Sequence, residues 1–467
     1  MPGSPAEVRA ALRDTAARRR FRRSWVAVVA VLAVAAAGLG AASVAQGPKL
    51  SSATVNASAA IERPGQRLVL QADQPLAAVP ASAVSVEPAA PLELTADGAQ
   101  LTVRFTGILR YATEYRVEIP VASAATGAGA VLRYNFTTPD VSTASLERDP
   151  GGADRVVRHS LAGTAPDAVL AEAPRIQQYA LLGGDAVALI TLDEAGVPSL
   201  AIAADGTSAV VPTPAARAIR TLHAASGGDL LGYVLDADGT TGTGTLYLLD
   251  LTDSSWTPIE VRGPGGTPLA ALDWTFVPGT TSVIVQSDDL QLYLVDPVAG
   301  TEAAPLGQHA ELRGFLPGTL QLVVADPSSG GLVNLADGTT TALELPQADA
   351  PVELYPAAFV LTSPTSYVQL YLDPMGYADA GARAILYAVD ASGTRELYRP
   401  ATATSRIGAV CLSPNGQYLA LEEIPGSAEP DDYPSEPGWS GTTIYYLDTV
   451  TGETTRGVTG MAPDWCS

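Results

Sequence analysis

Lysine is almost missing from this chain of 467 residues: Lys49 is the only one among 27 basic side chains, set against 49 acidic ones. Histidine occurs three times, at His159, His223 and His309, and cysteine twice, at Cys411 and Cys466. Each scarcity removes a class of function. Three widely separated histidines compose no zinc-ligand motif. No Gly-x-Ser-x-Gly elbow, phosphate loop or dinucleotide glycine fingerprint occurs, and Gly438 to Gly441 falls one residue short of the elbow. Asp236 to Gly239 begins like a calcium loop but lacks the later acidic ligands, so it reads as a hairpin turn. Glu422 and Glu423 are neighbours on one strand and point to opposite faces, so they do not pair as an acid and a base. No catalytic residue, metal or cofactor is expected.

The charge is unevenly placed. Up to Lys49 there are eight basic and two acidic residues, which leaves 19 basic and 47 acidic beyond it, a charge of −28. Such a surface repels nucleic acid and anionic headgroups, and it serves solubility or a basic partner. No nucleic-acid partner is expected.

One long apolar run is present. From Trp25 to Val44 no charge interrupts twenty residues, which as a helix would span about 30 Å, the thickness of a bilayer core. Arg18, Arg19, Arg20, Arg22 and Arg23 stand before it and place its start in the cytoplasm. Residues 1–23 therefore read as a cytoplasmic basic segment and 24–45 as a transmembrane helix, with the bulk of the chain extracytoplasmic. The alternative is a cleaved export signal: Ser43-Val44-Ala45 has small residues where a signal peptidase reads, and Arg18 to Phe21 loosely resembles a twin-arginine motif.

After a linker at 46–53, residues 54–140 alternate apolar and polar side chains in short runs. Leu68 to Leu70, Ala83 to Val86, Leu101 to Phe105, Tyr115 to Ile119 and Val131 to Phe136 all fit half-buried strands separated by Gly, Pro and Asp turns. About seven strands with no helix signal predict a β-sandwich. The stretches Arg67 to Leu76, Leu101 to Phe105, Thr113 to Ile119 and Tyr134 to Thr138 resemble the bacterial Ig-like domains of surface-layer and cell-wall proteins. That resemblance covers under a fifth of the chain and implies a spacer or adhesive module without catalytic residues.

A second linker is expected at 141–154, and from 155 to 467 a pattern recurs every 35 to 50 residues. Its mark is a strand of the form Leu-Tyr-x-x-Asp, seen at Thr245 to Asp250, Gln291 to Asp296 and Ile385 to Asp390 and, varied, at Ile444 to Asp448. The period and the strand content predict a β-propeller of four-stranded blades. Inner strands fall near Ile176, Ala218, Ala271, Glu311, Leu354, Ile407 and Gly460, which counts seven blades; six and eight stay open. Val410 to Ala420 resembles the Ser-Pro-Asp-Gly repeat of Tol-type and WD-like propellers, with Asn415 where Asp is usual. The fold class is all-β: an N-terminal transmembrane helix, an Ig-like β-sandwich, then a β-propeller.

Three long stretches, Asp236 to Gly244, Asp373 to Arg383 and Glu423 to Gly441, each precede a third strand, so they share one face of a propeller. The longest carries Asp431, Asp432, Tyr433 and Trp439, and the second carries Tyr377; these five are the candidate binding residues. The alternative is a floppy proline-rich insertion. Cys411 and Cys466 lie on the sixth and last inner strands, so they are expected to pair as a disulfide in an oxidising space, or else to pack as two thiols. The function expected is non-catalytic binding or scaffolding at the cell envelope, with an unidentified protein or envelope polymer as partner. The alternative is a propeller enzyme of hydrolase or lyase type with its site in the central channel.

Overall fold

The computed structural model describes residues 21–22, 24–35, 46–237, 243–327, 329–351, 354–373 and 384–466, apart from the side chains of Thr455 and Cys466. The described residues form two compact units. The first runs to Leu109 and includes Thr113–Thr138; the second runs from Pro139 and takes in Arg110–Ala112. Residues 24–35 are helical. Among the described residues no helix is long and apolar enough to cross a membrane, and the remainder of the expected span, 36–45, lies outside them.

The first unit holds seven strands: β1 (Leu50–Val55), β2 (Arg67–Ala72), β3 (Ser85–Glu87), β4 (Leu92–Asp97), β5 (Gln100–Phe105), β6 (Glu114–Ala122) and β7 (Gly129–Thr137). They make two antiparallel sheets, ordered β1-β2-β5-β4 and β3-β6-β7. Alternation produces this. Along β6, Tyr115, Val117, Ile119 and Val121 are buried while Glu114, Arg116 and Pro120 are exposed. The buried set joins Leu68, Leu70, Leu101, Val103, Phe105 and Phe136 in one core shared by both sheets. Tyr115 and Phe136 stack there with ring centroids 5.4 Å apart.

The linker expected at 46–53 needs correction, because β1 pairs with β2 from Leu50 onward. Before it, Gly47 presses on β7: a Cβ there would meet the Gly129 carbonyl oxygen at 2.3 Å. The linker expected at 141–154 also holds a strand. Ser142–Glu147 is buried from Thr143 to Leu146, and its serine and threonine content hid it from a pattern search for apolar residues.

The second unit is a β-propeller. That strand, β8, lies with β9 (Asp154–Ser160) and β10 (Ala168–Ala173) in a sheet ordered β10-β9-β8. Antiparallel sheets follow, whose first strands are Ile176–Gly183, Ala218–Ala224, Ala270–Phe276, Glu311–Phe315, Tyr355–Ser363 and Arg406–Leu412. Each continues through its second, third and fourth strands in chain order. Two of these sheets join edge to edge where Gly244 and Thr245 pair with Ala271 and Ala270. The end of the chain returns to β8: Met461 and Leu146 exchange backbone hydrogen bonds of 2.9 Å in both directions. A single bridge from the C-terminal segment is thereby added at the β8 edge of this sheet.

Position in a sheet explains composition. The second strands Leu230–Asp236 and Val283–Ser287 are buried at every residue, because neighbouring sheets cover both faces, and apolar residues run on consecutively through Leu230–Leu235 and Val283–Val285. The repeated aspartate that ends the third strand turns the chain. Asp250 accepts from the amide and hydroxyl of Thr252, and Asp390 does the same with Ser392. Those bonds, the hydroxyl's first, hold both carboxyls below their ordinary range. In the Ser413 to Gly416 turn, Asn415 Oδ1 accepts from the Gln417 amide at 3.0 Å, performing the aspartate's role without charge.

Every first strand of the four-stranded sheets carries a register break, for example between Ile407 and Val410 and between Pro356 and Phe359. A bulge strands backbone groups that need other partners. Gln369, on the second strand of its sheet, donates to the carbonyls of Ala357 and Ala358, and Glu422 accepts from the Ala409 amide. Gln369 and Glu422, buried on second strands, are thus bulge partners.

Candidate functional site

Of the three long stretches expected on one propeller face, 238–242 and 374–383 lie outside the described residues, and Tyr377 with them. The third is described throughout and forms a strap between Ile424 and Thr443. Proline excludes a helix here, and the strap closes on itself as a small hairpin. Pro430 bridges Trp439, the Asp431 amide donates to the Gly438 carbonyl, and the Gly438 amide donates back to Asp431 Oδ1 at 2.8 Å. Gly438 cannot be replaced without movement, since a Cβ would stand 2.3 Å from Met461 Sδ.

The strap is fastened by arginines from elsewhere in the chain. Arg148, just beyond β8 and only 7% exposed in its side chain, reaches Asp431 Oδ2 at 2.6 Å and the Glu436 carbonyl at 2.8 Å. The same guanidinium donates to the carbonyls of Ile176 and Gln177 and lies 3.7 Å from the centre of the Tyr433 ring. Tyr433 is buried and donates its hydroxyl to Asp154; burial, with that carboxylate beside it, pushes the phenol far above its ordinary range. Arg406 lies 4.0 Å over Trp439. Arg175 pairs with Asp432 at 3.1 Å, yet the Asp432 side chain stays 84% exposed.

The candidate binding residues of the strap are thus mostly engaged within the protein. Tyr433 is buried and Trp439 half-buried under arginine, and Asp431 is taken up by Arg148, which leaves Asp432 at the open edge. The arginines lie about 30 to 290 positions away in sequence, beyond the reach of a local motif. Beneath the strap, burial raises Glu436 to about 7, helped by the charge of Glu422 and opposed by Arg148. Gln178 donates to it. Burial likewise lifts Asp464 to about 7, although the Ala144 amide donates to its carboxyl.

A second polar cluster sits where the ring closes. Ser145 Oγ lies 2.9 Å from His159 Nε2, and His159 Nδ1 lies 3.2 Å from Asp167 Oδ2. The order of groups is that of a nucleophilic triad, but the access is not. Ser145 and His159 are 0% and 2% exposed. Gly460 covers the serine so closely that a Cβ would stand 2.7 Å from its oxygen. Ser145 Oγ also donates to the Thr459 carbonyl at 3.2 Å. In this closed form no substrate reaches the hydroxyl.

The other histidines have structural neighbours: His309 Nδ1 stands 3.0 Å from Asp326, and His223 meets Trp274 edge-on. Among the described residues no group of three His, Cys, Asp or Glu side chains is placed to hold a metal. Cys411 is not a free thiol; the side chain of Cys466 lies outside the described residues.

No protein-family model matches this chain, and no curated protein matches it. Solved structures similar to it include TolB from Acinetobacter baumannii, 12% identical with a TM-score of 0.35, over 80% of this chain and 79% of that one. The β-propeller domain of the Trilobed protease from Pyrococcus furiosus, which has an open velcro topology, is 10% identical with a TM-score of 0.39, over 73% and 93%. The tricorn protease is 14% identical with a TM-score of 0.29, over 74% and 36%.

Proposed function

We propose that this protein is a single-pass membrane protein, its N terminus cytoplasmic, that presents an Ig-like sandwich and a seven-bladed propeller outside the membrane for binding or scaffolding at the cell envelope. The strap face is the binding face. The observation that carries this reading is the strap itself, a hairpin clamped by three arginines with the Asp432 side chain 84% exposed. Pre-ordering a surface loop lowers the entropy lost when a partner docks. The Ig-like reading draws support from the strand order of the two sheets, which is that of constant-type immunoglobulin sandwiches. The count of seven draws on six four-stranded sheets plus the sheet of β8–β10, to which the C-terminal segment adds the Met461 bridge. We place a disulfide between Cys411 and Cys466, close to the same seam.

The partner is an envelope protein or polymer. A photo-crosslinking residue at position 432 of the full-length protein, in native membranes, tests the face. Crosslinks from 432 and none from position 320 are expected, because Leu320 is exposed on a first-to-second-strand turn at the other end of the propeller. Crosslinks from 320 alone would move the binding face to that end.

A further inference from the structure

The sheet that begins at Ile176 ends in an open edge. Its last strand, Thr207–Val210, pairs with Pro198–Ala204 on one side only, and all four of its residues are exposed. The Val211 amide donates to the Leu200 carbonyl at 2.9 Å, so it points into the sheet. Backbone groups of successive residues on an antiparallel strand point to opposite sides, which turns the N–H and C=O of Ser208 and Val210 outward. Edges of this kind are commonly blunted by lysine, proline or a bulge. This strand has none of them: it reads Thr-Ser-Ala-Val, and its register is unbroken.

A groove of about 360 Å³ runs beside the edge. Alternation puts Ser199, Ala201 and Ala203 on one face of their strand, and pairing sets Val210 opposite Ala201 and Ser208 opposite Ala203 on that face. Only Val210 among these five is larger than serine. Strand β10 packs on the second and third strands of the sheet, and small side chains leave the space beside it open. Val197 and Val210 line the groove while 54% and 69% exposed, an apolar surface without a cover. Two lining side chains, Glu172 and Asp193, are acidic and exposed, and none is basic. With a charge of −28 beyond Lys49, this lining favours a basic occupant and sets a second copy of the same edge against like charge.

We propose that the edge Thr207–Val210 and the groove beside it dock an extended, basic segment of a protein partner. The segment adds as a fifth strand, bonded to the outward N–H and C=O of Ser208 and Val210. Every second side chain then turns to the groove, where long apolar groups reach over Ser208 and Val210 toward Ala201 and Ala203. Lysine or arginine of the segment meets Glu172 and Asp193. Backbone bonds of this kind supply affinity for any sequence, and the groove supplies selectivity. No strap residue lines the groove, so this surface stands without the strap.

The test uses the full-length chain and a fluorescent, end-blocked peptide of about nine residues, the length of one strand. The peptide alternates valine with threonine and carries two lysines at each end. Fluorescence anisotropy should show saturable binding, and Ser208→Pro should weaken it by at least about tenfold. That substitution removes only an outward N–H, so the melting temperature should hold. The same peptide with glutamate in place of lysine should fail to bind. Absence of saturable binding to the unaltered chain would overturn the proposal, as would equal binding by Ser208→Pro or by the acidic peptide. A dimer of the chain alone, seen by sedimentation and dissolved by Ser208→Pro, would give the edge to a second copy and likewise overturn it. If Ser208→Pro fails to fold, the peptide N-methylated at every residue removes the same bonds from the other side, and its undiminished binding would refute the added strand.

Discussion

Arg148 donates to four oxygens at once, two on the strap and two on the first strand that begins at Ile176. Its removal takes the cation from Asp431 Oδ2 and a donor from three carbonyls in a nearly closed site, while Asp431 Oδ1 keeps the Gly438 amide. Arg148→Ala should therefore lower stability by about 3–5 kcal/mol, the usual effect of breaking one side of a buried ion pair. Lysine should not rescue it, because a point charge cannot serve four acceptors or lie flat on Tyr433. Denaturant midpoints of the two variants check both statements. Glu436 adds a dependence on pH. Its folded value, about 7, lies above the ordinary 4.5, so the docked strap binds the proton more tightly than the free one. Docking is strongest below about 4.5, weakens as pH rises toward 7 and levels off above it. Hydrogen exchange across 429–440 should follow that curve, and Glu436→Gln should flatten it; an unchanged curve in the variant would assign the effect to another group.

At the scale of the element, the strap behaves as part of the propeller wall. A loop outside the core is expected to tolerate shortening at about 0.6 kcal/mol per doubling of length, and composition alone suggested that here. The packing reverses the expectation. Deleting Ser427 to Pro437 strips Arg148 of its carboxylate and Asp154 of the Tyr433 hydroxyl, so a loss of about 3 kcal/mol or more should follow. Unchanged thermal unfolding of the deletion would show that Arg148 finds other partners. The bulged first strands follow similar logic. Gln369→Leu removes the donors to Ala357 and Ala358 and should cost about 1–3 kcal/mol, whereas loss of an exposed polar residue costs little.

For the whole molecule, two predictions concern where the chain sits and how its ring closes. Full-length protein should stay with membranes through alkaline carbonate washing, with its mature N terminus upstream of Trp25. A soluble form beginning at Gln46 would identify the apolar run as a cleaved signal. Cys466→Ser should lower the melting temperature and expose the last residues to protease. A disulfide closing the 54 intervening residues contributes roughly 4 kcal/mol at most, a large part of a typical stability of about 5–15 kcal/mol. Two alkylatable thiols in the unreduced protein would refute that pairing.

Local order alone determined much of this protein. Alternation along Tyr115 to Ile119 marks strands because side chains on a strand change face at each step, and the Leu-Tyr-x-x-Asp repeat marks third strands because its aspartate turns the chain at once. These effects act within a few residues, so they are legible without a fold. What only the tertiary structure decided depends on residues far apart in the chain. Ser142–Glu147 becomes a strand because Asp154–Ser160 pairs with it along its whole length and Met461 bridges its other edge at Leu146. Tyr433 is buried and Trp439 half-buried because Arg148 and Arg175 arrive over Tyr433 from other parts of the ring and Arg406 lies over Trp439 from the first strand of its own sheet. Ser145 meets His159 by strand pairing, but it is Gly460, more than three hundred residues on, that covers its hydroxyl. An arginine's partner is set by where the ring brings it, and no spacing within the strap carries that information.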